Sequence, residues 1–181
     1  MKKIALLLLT GLLSVLFLAN PAMSESEEIG WQVYKNQDYG FSISFPENWE
    51  VKERYRNTVV VALSPVRGAR DNFRENVNLN VQALQSGMRL EKYYRESIRD
   101  MQEYLFDFDE LSSGNLKIND VESKYLVYTH KIGNVKVKVL EVLMVHGSFG
   151  FKITCTAISN AFDRYRDMFR DILSSFVLEV E

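Results

Sequence analysis

Residues 121–158 read VESKYLVYTHKI (121–132), GN (133–134), VKVKVLEVLMVH (135–146), GS (147–148) and FGFKITCTAI (149–158). β-Branched and aromatic residues fill three runs, and two-residue Gly-X loops between them spell two tight hairpins. A two-residue loop fixes the register. Ile132 then faces Val135, His130 faces Val137, Leu126 faces Glu141, Met144 faces Phe151 and Leu140 faces Cys155. A meander of this kind lays an apolar face against something else, so the rest of the chain must supply its partners.

Upstream, Asn76–Ala83 (NVNLNVQA) alternates perfectly, with Val77, Leu79, Val81 and Ala83 on one side and amides on the other. That is the pattern of a half-buried strand. The period then changes: Leu90, Tyr94, Ile98, Met101 and Leu105 fall at helical spacing and predict a helix over 90–106. Ser112–Asn115 reads as a break, Leu116–Ile118 as a return to the sheet, and Asn119-Asp120 as the turn into the meander. Downstream, Phe162, Tyr165, Phe169, Ile172 and Phe176 make the apolar stripe of a closing helix over about 160–174. Ser159 or Asn160 is its expected N-cap, with Asp163 in the first turn.

Nearer the start, Trp31–Tyr34 and Phe41–Phe45 are strand candidates, and Pro46 ends the second because proline has no N–H for a ladder. Trp49–Tyr55 and Thr58–Leu63 follow around an Arg56-Asn57 turn, and 64–74 is the longest loop. Two helices and about eight hairpin-linked strands predict an α+β fold: one antiparallel sheet with helices covering opposite faces. No repeat, low-complexity tract or linker divides residues 25–181, which read as one domain.

Residues 1–24 stand apart. Met1-Lys2-Lys3 is a basic n-region, Ile4–Ala19 an apolar h-region, and Ala22-Met23-Ser24 a small-x-small cleavage site, together a secretory signal peptide. The apolar run is shorter than the ~20 residues of a membrane span. No cysteine lies near the cleavage site, so a covalent lipid anchor is not expected. Export to a periplasmic or extracellular space follows. Removing Lys2 and Lys3 with that segment leaves 20 basic against 24 acidic residues, a net charge of −4, which offers no general footprint for nucleic acid. With Cys155 as the sole cysteine, no internal disulfide can form.

Few residues point to chemistry. In the hairpin register His130 and His146 lie on opposite faces, about nine residues or roughly 30 Å apart, too far to share a metal. Cys155 falls in an apolar layer beside Leu140, where a thiol is unreactive. Phosphate loops, nucleophile elbows, zinc-helix motifs and acidic calcium loops are all missing. No catalytic constellation and no cofactor is expected, and a hydrolase using the histidines ranks last. Asp107, Asp109 and Glu110 form a small acidic cluster at the helix exit, read as solvated. Tyr93, Tyr94 and Tyr104 are expected to pack the first helix onto the sheet. Arg67, Arg70 and Arg74, in the longest and most basic loop, are the candidate contacts to a protein partner.

YKNQDYGFSISFPENWEV (34–51) resembles the N-terminal signature of PsbP-like proteins, through Tyr39-Gly40-Phe41, Pro46 and Trp49. FDRYRDMFRDILSSFVL (162–178) is similar to the closing helix of that family, through Phe162, Tyr165, Phe169, Ile172 and Ser175-Phe176. The resemblance spans about residues 31–178 and implies an α/β/α sandwich, no enzymatic activity, and docking to another protein. It implies no metal ligands here, because no local motif around such ligands matches. The expected function is an exported accessory module that docks on an envelope or membrane protein complex, a photosystem assembly among them. The alternative is an extracytoplasmic protein that binds a small ligand or metal between sheet and helix.

Overall fold

A computed structural model describes residues 29–69 and 71–179, so the signal-peptide segment lies outside the described residues. The meander forms as its loops dictate. β7 (Val121–Ile132), β8 (Val135–His146) and β9 (Phe149–Ile158) pair antiparallel, with Ile132 opposite Val135, Leu126 opposite Glu141 and Leu140 opposite Cys155. Gly133 and Gly147 hold φ of 59° and 57°, the left-handed region these tight loops require.

Around this core run β3 (Glu50–Glu53), β4 (Val60–Leu63), β5 (Asn76–Ala83) and β6 (Asp109–Ile118). Together they make a seven-stranded sheet in the order β3-β4-β5-β9-β8-β7-β6. A second sheet was not foreseen. β1 (Trp31–Asn36), β2 (Phe41–Pro46) and β10 (Val177–Leu178) form a separate three-stranded sheet with β2 at its centre. β10 adds only two pairs, Val177 with Ser42 and Leu178 with Phe41, too short a run to carry a period of its own.

The expected break at 112–115 does not occur. β6 runs through it, paired along β7, with one irregularity between Glu110 and Ser112 that leaves Leu111 as the extra residue of a bulge. Gly114 is covered from across the ladder: a Cβ there would lie 2.8 Å from the Tyr125 ring. Cross-strand packing of this aromatic on a glycine outweighs the turn preference of Ser-Ser-Gly-Asn.

The two helices, α1 (Leu90–Tyr104) and α2 (Phe162–Ser174), are as expected in type but shorter at their ends. α1 stops where Leu105 turns extended and Asp107 takes φ 60°. Neither Ser159 nor Asn160 caps α2; Ala161 holds that position and, being alanine, has no side-chain oxygen to accept from the first turn, while the Ser159 N–H donates to the Lys136 carbonyl of the sheet.

Alternation along β8 sorts its side chains into two apolar clusters. Val142 and Met144 belong with Phe169 and Ile172 of α2, whereas Val139 and Leu143 belong with Tyr93 and Met101 of α1. The larger cluster is built on fully buried rings: Phe41 lies 6.1 Å from Phe151 and 5.7 Å from Phe176, centre to centre. At Gly150 the sheet is bare enough for the Tyr93 ring to lie on it, 2.7 Å from where a Cβ would be. Among the described residues the architecture is α+β: antiparallel sheet with two helices.

Candidate functional site

The basic loop is tied down by its own charges. Arg67 holds the fully buried Glu75 with a forked pair of hydrogen bonds, Nη2 donating to both carboxylate oxygens at 2.9 and 3.0 Å. The same guanidinium lies 5.5 Å from the centre of the Tyr165 ring on α2. Arg74 donates to the Leu63 carbonyl at 3.0 Å and to that of Ser64, and pairs with Glu50. The Arg67 N–H bonds the Asp71 carboxylate, and this bond holds the Asp71 pKa below its ordinary value. Arg70 lies outside the described residues. These two arginines thus fasten the loop to β3, β4 and α2, a use that composition does not reveal because Glu75 looks like any surface acid.

The histidines stay apart. His130 is buried beside the Tyr128 ring at 5.8 Å, and burial pushes its pKa below the ordinary value. His146 is exposed at the far end of β8. Cys155 is buried among Leu140, Val77 and their neighbours, and its thiol pKa is driven well up by desolvation. Among the described residues no group of three or more His, Cys, Asp or Glu is placed to hold a metal ion. Asp107 pairs with Lys131 at 3.0 Å, a bond that lowers its pKa, while Asp109 and Glu110 are carried away along β6 opposite Thr129 and Tyr128.

A buried carboxylate was missed. Glu141, on β8, is sealed beneath α1, where its Oε2 accepts from the Thr154 hydroxyl at 3.2 Å and the Tyr128 hydroxyl at 3.3 Å. Lys152 Nζ stands 3.8 Å from Oε1, which has no hydrogen-bond partner. Burial raises the pKa of this carboxyl, and Lys152 opposes the rise. Tyr93 is itself pushed up to about 12 by desolvation and then by the Glu141 charge. The signal was the lone acid in VKVKVLEVLMVH, at an inward position of the register already in hand.

Of the three tyrosines, Tyr93 and Tyr94 are buried as expected, but Tyr104 is not. Tyr104 is 76% exposed and Phe106 71%. Both sit where α1 leaves for β6. Their setting is firm: the Phe106 carbonyl accepts the Lys131 N–H at 2.8 Å, and Lys131 Nζ lies 5.7 Å from the Phe106 ring centre while paired to Asp107. Ile132, next along at the hairpin tip, and Leu111, the bulged residue of β6, are also about half exposed. Among the described residues β6 is an edge of the large sheet, with no strand paired along its outer side. Acids frame this end (Glu103, Asp107, Asp109 and Glu110), with Lys131 among them. An aromatic surface beside a sheet edge has the makings of a protein contact, since large exposed rings and free edge groups are what interfaces bury.

No family model matches the sequence, and no curated protein matches it. Solved structures do. Cyanobacterial PsbP from Synechocystis is similar with a TM-score of 0.63 at 15% identity, over 85% of this chain and 95% of that one. LpqN of Mycobacterium tuberculosis, described as involved in cell envelope biogenesis, has a TM-score of 0.67 at 12% identity, over 84% of this chain and 92% of its own. The yeast Ran-binding protein Mog1p has a TM-score of 0.57 at 8% identity, over 83% and 96%. In fold, this chain, an antiparallel sheet with two helices among the described residues, is PsbP-like.

Proposed function

We propose that this chain is a non-enzymatic docking module of the extracytoplasmic space, and that its docking surface is the aromatic end built from Tyr104, Phe106 and Ile132 beside the β6 edge. The observation that carries the reading is the pair of rings, Tyr104 at the end of α1 and Phe106 just beyond it, both more than two-thirds exposed where Lys131 ties the connector through the Phe106 carbonyl and Asp107. Two large rings left in water add nothing to the fold, whereas covering them on a partner buries apolar area. Support comes also from the neighbours, which include a Ran-binding protein and a protein involved in cell envelope biogenesis. The signal-peptide pattern of residues 1–24 supports export. A helix on each face of the large sheet, supported by the split of β8 into two clusters, leaves this end as an open rim.

The test is capture from a detergent extract of the source envelope with residues 25–181, beside a Tyr104→Ser, Phe106→Ser double variant. A stoichiometric envelope protein held by the wild type and lost by the folded variant supports the reading and identifies the complex, photosynthetic or otherwise. Equal capture by both, or capture by neither, overturns it.

A further inference from the structure

Far from the aromatic end, a cavity of 480 Å³ opens at the junction of the two sheets, between the β1–β2 hairpin and the β3–β4 turn. That is within the range of about 300–1,000 Å³ usual for small-molecule sites. We propose that it binds a neutral, polyhydroxylated ring, that is, a saccharide unit.

The lining argues for this class. Tyr34 and Tyr39 line the cavity, and each ring packs on a neighbour, Tyr34 on Phe41 at 6.0 Å and Tyr39 steeply angled to Phe149 at 5.4 Å. Asn36 ties them together. Its Nδ2 donates to the Tyr34 hydroxyl oxygen at 3.0 Å, and its Oδ1 accepts the Tyr39 N–H at 3.0 Å. The Tyr34 O–H therefore remains a donor for a ligand. At the lip, Asp38 and Arg54 stand 3.6 Å apart, both largely exposed. A carboxylate beside a guanidinium accepts from one hydroxyl and donates to its neighbour, which suits adjacent hydroxyls on a ring. Being neutral as a pair, it gives no free ion an advantage. The walls are too polar for an acyl chain, while tyrosine rings in the lining suit the C–H face of a sugar.

The β3–β4 turn sets the mouth. The Thr58 N–H donates to the Tyr55 carbonyl at 3.0 Å, and Arg56 and Asn57, the central residues, hold φ of 47° and 66° as a tight hairpin turn requires. This turn brings Arg54 and Asn57 to the cavity.

The experiment is an amide chemical-shift titration of residues 25–181, which contain every described element. The probes are glucose, N-acetylglucosamine, cellobiose and chitobiose, with sodium acetate and sodium phosphate as ionic controls. Saturable shifts at Asn36, Asp38, Tyr39 and Asn57 with at least one sugar, at Kd of ~10 mM or tighter, are expected. Asp38→Ala and Arg54→Ala are each expected to weaken that Kd about tenfold or more, and Tyr34→Phe, which keeps the ring, to weaken it less. The Tyr104→Ser, Phe106→Ser variant is expected to bind the sugar unchanged, so failure here and failure of the docking reading are separate results. No saturable shift with any of the four sugars, shifts indifferent to Asp38→Ala and Arg54→Ala, or tighter binding of acetate or phosphate than of any sugar would each overturn the proposal.

Discussion

Replacing Glu141 by Gln is expected to stabilise the protein at neutral pH and not at acid pH. The carboxylate is 3% exposed, and one of its oxygens, Oε1, has no hydrogen-bond donor. Lys152, the nearest cation, is 3.8 Å away and itself partly solvated, so it compensates the buried charge only in part. Because burial raises the folded-state pKa above the ordinary 4.5, the folded chain binds this proton more tightly than the unfolded one. The contribution to stability is therefore whole below pH 4.5 and declines as pH rises through the folded value. An unsatisfied buried group costs about 1–3 kcal/mol, more when charged. Gln keeps an acceptor for Thr154 and Tyr128 while removing the charge, so a gain of about 1–3 kcal/mol at pH 7 is expected. For a chain of this size that is roughly 2–10 °C in Tm. Paired urea titrations of both proteins at pH 4.5, 6, 7 and 8 read the difference directly. The gain should grow with pH and vanish near the lowest value. A Glu141→Gln variant that is less stable at every pH would refute the reasoning and show that the Lys152 pair outweighs the desolvation of Glu141.

Other substitutions probe the remaining packing. Arg67→Ala leaves the buried Glu75 without its cation, beside the hydroxyls of Ser64, at 3.3 Å, and Tyr165; a loss of about 2–4 kcal/mol is expected in urea denaturation, and the Arg67→Ala, Glu75→Gln double variant should recover part of it. Phe176→Ala opens a void against Phe41 and Phe151, where all three rings are fully or almost fully buried; about 3–5 kcal/mol should be lost, checked by the denaturation midpoint. Cys155 is expected to resist iodoacetamide in the folded protein and to react once urea unfolds it, because burial both hides the thiol and raises its pKa; mass spectrometry of the native sample showing full alkylation would contradict that placement.

How far the sequence carries depends on how local the deciding interaction is. The β7–β8–β9 registers were legible because a two-residue glycine loop sets the pairing of everything beyond it, and the structure keeps each of the pairs read from it. β10 was not, because two residues paired to Phe41 and Ser42 have their cause more than a hundred positions away. Gly114 misled for the same reason: Ser-Ser-Gly-Asn is a turn by composition and a strand once Tyr125 lies over the glycine. The functional surfaces divide along the same line. Arg67 and Arg74 read as candidate partner contacts, since nothing near them in sequence says that Glu75 is buried and that Glu50 is within reach. Tyr104 was no more legible. Three residues beyond Met101 and seven beyond Ser97, it falls on the helix face that buries Tyr93, Ser97 and Met101, so its period places it in the core. It is exposed because α1 ends there and Leu105 turns extended, so the ring stands at the rim of the face its period assigns it to. The exposure of Tyr104 and Phe106 is set by where the helix stops, and a periodic pattern carries no signal for that.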